Sequence, residues 1–333
     1  MKSETVRIPG SISLAGTLQY PDSWDSSLGL TSSGSVGQET ANTASEQKIP
    51  AVLFIHGSGP VDRDENMKGP IKLNVFNQLA DWFSAMGLAS LRYDKRGTGS
   101  SEGSFMEAGR QDLLNDALQA LHWLKARPEL DPNRIFIVGH SEGALLAPAL
   151  FRLEAAAGLV LLAGAAGDFK ATLEWQSDNL IASLEASKGF QGWVIRRFKL
   201  GNKLKKDQAA TFNKIDTSSQ PVLRYKGRKI NAGWFRDHFV HSCDQDLPHV
   251  SCPVLAVTGS KDVQVKPGDA AVLAGLCAGP AESVIIDQMT HILRIEDKAS
   301  QPLDILKNYR KSGRQALAPQ LQQVLADWFA KYC

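Results

Sequence analysis

The chain has 333 residues, 43% of them hydrophobic and 22% charged, with a formal net charge of +2. That length can bury a large core as one big domain or two, and the balance is ordinary for a soluble globular protein and points to no particular partner, so no nucleic-acid partner is expected. The longest nearly unbroken apolar stretch, residues 155–167, is too short to span a bilayer.

The opening Met-Lys-Ser-Glu-Thr-Val-Arg-Ile-Pro has no apolar signal core, so a cytoplasmic protein without membrane contact is expected. Residues 6–20 alternate apolar and polar in places and carry a Gly16 turn, which predicts an antiparallel strand pair. In residues 22–47 half the positions are Ser, Thr or Gly, which predicts a flexible loop without chemistry.

Strands and helices then alternate. Residues 51–55 read as a buried strand, and Phe76, Leu79, Ala80 and Phe83 fall at helical spacing before a closing Gly87. Residues 88–92 are the next strand. Leu113, Leu114, Ala117, Leu118, Leu121 and Leu124 mark a helix that ends before Pro128. Further strands are expected at 135–138, 158–162, 254–257 and 284–286, and Leu321, Val324, Leu325 and Trp328 mark a last helix. This alternation predicts an α/β fold with a mostly parallel sheet, whose ligands bind at the carboxyl ends of the strands.

Residues 168–247 break the pattern. They show no buried strand, are helical in tendency, and carry 14 Lys/Arg against 9 Asp/Glu. They read as a helical cap inserted into a core of residues 1–167 and 248–333, and the tryptophans Trp175, Trp193 and Trp234 are candidates for a substrate pocket beneath it. The basic run Arg196-Arg-Phe-Lys-Leu-Gly-Asn-Lys-Leu-Lys-Lys206 reads as a wet face of that cap. Four cysteines (Cys243, Cys252, Cys277, Cys333) lack metal-ligand spacing and read as reduced thiols, a Cys243–Cys252 bridge being the alternative.

Chemistry concentrates at Gly139-His140-Ser141-Glu142-Gly143, between a strand and a helical pattern. A strand-to-helix turn this tight exposes the serine hydroxyl at its tip, before the N–H groups of the next helix. A second match, Gly99-Ser-Ser-Glu-Gly103, lacks a strand running into it and reads as a surface loop. The glycine-rich His56-Gly-Ser-Gly-Pro60 follows the first central strand. With Ser141 as nucleophile, the backbone N–H groups of Glu142 and Ser58, with Gly59 next, are the candidates to hold an oxyanion. Asp262 ends a strand and is the candidate acid, with Asp287 its rival. His291, in the loop after the strand at 284–286, is the candidate base. His56 and His140 are expected in structural hydrogen bonds. The charges of Tyr93-Asp-Lys-Arg-Gly97 are expected to lock a loop, and the Glu142 side chain to be solvated or to cap its helix.

At these residues the chain resembles the α/β-hydrolases, above all bacterial carboxylesterases and serine hydrolases near the serine aminopeptidases. The likeness rests on His56-Gly-Ser-Gly-Pro with Asp62-Arg-Asp-Glu-Asn66, Arg92-Tyr-Asp-Lys-Arg-Gly-Thr-Gly-Ser100, Gly139-His-Ser-Glu-Gly143, Gly259-Ser-Lys-Asp262 with Gln264-Val265, and Met289-Thr-His291. It implies a Ser141–Asp262–His291 triad, an oxyanion hole of two backbone amides, and no cofactor or metal. Two positions depart from the family pattern, which has glycine where Glu65 stands and asparagine where Thr290 stands. The expected activity is hydrolysis of small-molecule carboxylic esters through an acyl-enzyme. Aminopeptidase and thioesterase chemistry on the same triad are alternatives, as is a hydrolase fold that binds ligand without turnover. An aminopeptidase would need an acid in the cap for the substrate amine, and Glu174, Asp178 and Glu185 are available.

Overall fold

The computed structural model describes residues 2–23, 48–297, 305, 309–310, 313 and 315–333. The loop expected over 22–47 lies outside them apart from its first two residues. The strands are β1 (Ser3–Ile8), β2 (Leu14–Gln19), β3 (Ile49–Ile55), β4 (Ala89–Tyr93), β5 (Leu130–His140), β6 (Gly158–Leu162), β7 (Val222–Tyr225), β8 (Arg228–Asn231), β9 (Val254–Gly259) and β10 (Ala281–Ile286). All but β7 and β8 form one sheet, in the order β1-β2-β4-β3-β5-β6-β9-β10. From β4 to β10 every pairing is parallel; β1 and β2 add an antiparallel hairpin at one edge.

Side chains alternate across a strand, and here the alternation feeds two cores. Ala51, Leu53, Ile55, Ile135 and Ile137 face one core, under helices α2 (Arg110–Lys125) and α3 (Glu142–Leu153). Val52, Phe54, Phe136 and Val138 face the other, under α1 (Val75–Ala85) and the C-terminal helix (Pro319–Tyr332). There Phe329 packs at 5.0 Å on both Phe83 and Phe136. Such ring pairs add about 0.5–1.5 kcal/mol each beyond their burial. Helix α1 stops as its sequence predicts. Gly87 takes φ 88°, and Leu88 N–H returns to the Phe83 carbonyl.

Between β6 and β9 the chain leaves the sheet. Residues 168–247 form α4 (Phe169–Glu185), α5 (Gly189–Arg197), α6 (Leu200–Asp216), the β7–β8 hairpin and α7 (Ala232–Val240). The hairpin is absent from the sequence expectation because only Asn231 of its eight residues is buried. It is made by its turn: Lys226 and Gly227 both take positive φ, which suits a two-residue hairpin loop. The basic residues between Arg196 and Lys206 are exposed. All four cysteines are free, so the Cys243–Cys252 bridge is not formed. Among the described residues no helix is long and apolar enough to cross a membrane.

Candidate active site

Strand β5 runs into α3 through Ser141, whose backbone sits at φ 53°, ψ −113°. That is strained for a residue with a Cβ, and its neighbours permit it. A Cβ on Gly139 would stand 2.3 Å from the Gly143 carbonyl oxygen, and one on Gly143 2.0 Å from the Ile55 oxygen. The turn therefore closes only with glycine at both places. Glu142 is the first residue of α3, so its N–H has no acceptor within the helix.

Three separate loops bring the predicted partners together. Ser141 Oγ lies 3.1 Å from His291 Nε2. His291 Nδ1 lies 2.8 Å from Asp262 Oδ2. The other Asp262 oxygen accepts the N–H groups of Gln264 (2.8 Å) and Val265 (2.9 Å), which fixes the carboxylate's orientation. The rival Asp287 is exposed and accepts a bond from Ser260 Oγ. His291 sits in a loop braced from within: Thr290 donates through both its N–H and its hydroxyl to the Arg294 carbonyl. Fully buried Arg294 donates to the carbonyls of Ile292 and Leu73, and burial lowers its pKa to about 10. The Thr290 hydroxyl thus gives this loop a brace of its own.

Ser58, Ser141, Glu142 and His291 line one cavity of about 230 Å³. Its other walls include Leu145, Ala165, Phe169, Leu173, Trp234 and Phe235. Only one of the three predicted tryptophans is among them. Along α4 the lining residues are Phe169, Thr172, Leu173 and Gln176, a helical stripe at i, i+3, i+4 and i+7. Trp175 falls a residue short of that stripe and turns away. Trp193 on α5 is 52% exposed and stacks on Phe190 in solvent. Trp234 lines the cavity, and its indole N–H is taken, donating to Glu142 Oε1 at 2.5 Å.

Glu142 is therefore neither solvated nor a cap. Its side chain is buried against Lys95 Nζ (2.7 Å), Trp234 Nε1 and His238 Nε2 (3.3 Å). Burial would raise its pKa, but the Lys95 ammonium and His238 outweigh burial and hold it at about 2. In a sequence, an acid at a helix start looks the same whether water or a lysine faces it.

The charges of 93–97 do lock a loop. Asp94 receives a two-pronged bond from Arg63, and Arg96 does the same for Asp116. Lys95 turns inward to the Gly57 carbonyl and Glu142. In the second serine motif, Ser101 Oγ accepts the Ala15 N–H and donates to the Asp94 carbonyl. His140 makes its expected hydrogen bond, to the His291 carbonyl, and its Nδ1 stands 2.6 Å from Glu65 Oε2. His56 does not make the hydrogen bonds expected of it: neither ring nitrogen has a partner among the described residues, and the ring is held by packing on Tyr93 (4.9 Å, edge-on) and Phe76, while burial first, then nearby Lys95, lowers its pKa to about 4.

The family model described as serine aminopeptidase, S33, matches residues 72–298. Among curated proteins, Esterase EstD of Thermotoga maritima is 27% identical over 261 residues, 78% of this chain and 58% of that protein. This chain thus spans less than two thirds of that relative's length. Among solved structures, Est1E from Butyrivibrio proteoclasticus with bound ferulic acid aligns at a TM-score of 0.55 and 16% identity, over 92% of this chain and 96% of that one. Esterase Pf2001 of Pyrococcus furiosus aligns at 0.56 and 12% identity, over 99% and 91%. At such identities these two structures share the fold.

Proposed function

This chain belongs to the serine aminopeptidase S33 family of α/β-hydrolases, and from that premise we propose that it is a serine esterase acting on small to medium carboxylic esters. Ser141 Oγ attacks the ester carbonyl while His291 Nε2 takes its proton. The N–H groups of Ser58 and Glu142 hold the oxygen as it becomes negative. The tetrahedral intermediate collapses, the alcohol leaves with the proton from His291, and the acyl group stays on Ser141. Water, deprotonated by His291, then releases the acid by the same steps. Asp262 keeps His291 in the tautomer that presents a lone pair to Ser141. Residues 168–247 act as the cap over the cavity. EstD is named an esterase, which agrees with this reading.

The observation that carries the proposal is the unbroken chain Ser141 Oγ–His291 Nε2 (3.1 Å) and His291 Nδ1–Asp262 Oδ2 (2.8 Å) at the wall of an apolar cavity. The cavity's lining also favours esters over peptides with a free amine. Glu142 is the only carboxylate among its described lining residues, and it is already paired with Lys95. Glu174, Asp178 and Glu185 are exposed and line no part of it. The test is fluorophosphonate labelling, which should modify Ser141 in the wild type and fail in Ser141→Ala, together with rates on nitrophenyl esters and aminoacyl anilides. Faster cleavage of the anilides would reverse the choice, and folded protein that resists the label would remove the enzyme reading.

A further inference from the structure

Lys95 is 3% exposed and its ammonium has two hydrogen-bonded partners, the Gly57 carbonyl oxygen at 2.6 Å and Glu142 Oε2 at 2.7 Å. Its third direction faces the Phe105 ring, 5.7 Å away. Both hydrogen-bond partners belong to the oxyanion hole. The Gly57 carbonyl and the Ser58 N–H are the two ends of one peptide group, which is planar and trans, so they point in opposite directions. A cation gripping the carbonyl thereby aims the N–H. It also draws electron density from the amide nitrogen, which makes that N–H the better donor. Glu142 carries the other N–H, and Lys95 holds its side chain. The Gly57 N–H is tied as well, to Glu65 Oε1 at 2.6 Å.

We infer that Lys95 is a positioning residue for the oxyanion hole, holding the Gly57–Ser58 peptide and the start of α3 in register from behind. It touches no substrate and acts through the two backbone donors. The inference rests on the proposed esterase reading, and it adds a cause for the geometry that reading needs. Oxyanion donors matter when charge develops on the substrate oxygen, so their loss lowers kcat while ground-state binding stays.

The test uses Lys95→Met and the double variant Lys95→Met/Glu142→Gln, because the single change strands a buried carboxylate and lowers stability for that reason alone. The wild type and Ser141→Ala report on the esterase reading; the two Lys95 variants, compared with wild type, report on this one. In Lys95→Met, kcat on nitrophenyl butyrate should fall about 10- to 100-fold with KM within about twofold. Affinity for a trifluoromethyl ketone should fall in parallel, because Ser141 adds to its carbonyl and leaves an alkoxide in the hole. The acid limb of the pH–rate profile should not move. In the double variant the melting temperature should recover and kcat should not. Recovery of kcat along with stability, wild-type kcat in the single variant, or failure of both variants to fold would each assign Lys95 to the fold and overturn the inference.

Discussion

Glu65 Oε2 lies 2.6 Å from His140 Nδ1 with both side chains buried, at a backbone position where Glu65 adopts φ 63°. That left-handed conformation is the one glycine adopts most readily. Here the larger side chain occupies it and links two loops. Glu65 accepts the Gly57 N–H, and His140 Nε2 lies 2.8 Å from the His291 carbonyl. The imidazole thus faces an oxygen at each ring nitrogen, the Glu65 carboxyl at Nδ1 and the His291 carbonyl at Nε2.

This pair sets a pH dependence. Burial disfavours charge on both groups, but the Glu65 carboxylate raises the pKa of His140, and His140 with the Gly57 N–H lowers that of Glu65. The Glu65 contribution is present above its ordinary value of 4.5 and is lost as pH falls through the depressed one. The His140 contribution is present below 6.5 and is lost as pH rises through the raised value. Glu65→Gln should therefore cost about 3–5 kcal/mol near pH 6, and the gap to wild type should narrow in alkali. Urea unfolding at pH 6 and pH 9 measures this. An equal loss at both would mean the pair is not ionised.

Asp262→Asn should leave the fold intact and remove most activity. The N–H groups of Gln264 and Val265 will hold the amide oxygen, turning the amide NH₂ toward His291 Nδ1. Nδ1 must then accept, and Nε2 carries the proton toward Ser141. For that wrong tautomer kcat should drop by about four orders of magnitude, with little change in KM. A drop below tenfold would mean Asp262 does not orient the base.

Gly143→Ala and Gly275→Ala form a matched contrast. A Cβ on Gly143 would overlap the Ile55 carbonyl, a backbone atom that cannot swing aside. The change should cost at least about 3 kcal/mol and abolish fluorophosphonate labelling. Gly275 ends the helix Asp269–Gly275 with nothing near its Cβ position, so alanine there should stabilise by up to about 1 kcal/mol. Denaturation midpoints of both variants check the pair.

Phe235 borders two spaces, the cavity at Ser141 and a groove of about 610 Å³ that runs between α4, α6 and the β7–β8 hairpin. Wild-type protein should prefer nitrophenyl butyrate to the decanoate. Phe235→Ala should join the spaces and move the ratio of kcat/KM toward decanoate by roughly 10- to 100-fold, as each buried methylene contributes about 0.8 kcal/mol. An unchanged ratio would place the acyl chain elsewhere.

How much of this was legible beforehand depends on the range of each cause. The strand–helix alternation showed in the sequence because periodicity of 2 or 3.6 is a local property, and burial on both faces makes parallel strands apolar along their length. The gathering of Ser141, Asp262 and His291 was foreseeable because each ends or follows a predicted strand, and parallel strands finish at one edge. The insertion was harder. Its amphipathic pattern is weak, so Trp175 and Trp193 could be assigned to it but not to a face.

The one-dimensional chain thus determined the strands of the main sheet, the helices α1, α2 and α3 beside it, and the three side chains that meet at its carboxyl edge. Only the tertiary structure decided what lies behind that edge: Lys95 turned onto the Gly57–Ser58 peptide, Glu142 buried and paired, Glu65 bridging to His140. These contacts join residues 38, 47 and, by the sequence numbers of Glu65 and His140, about 75 positions apart. A charged residue carries no mark of its partner, and whether it meets water or an opposite charge is settled when distant loops close around it.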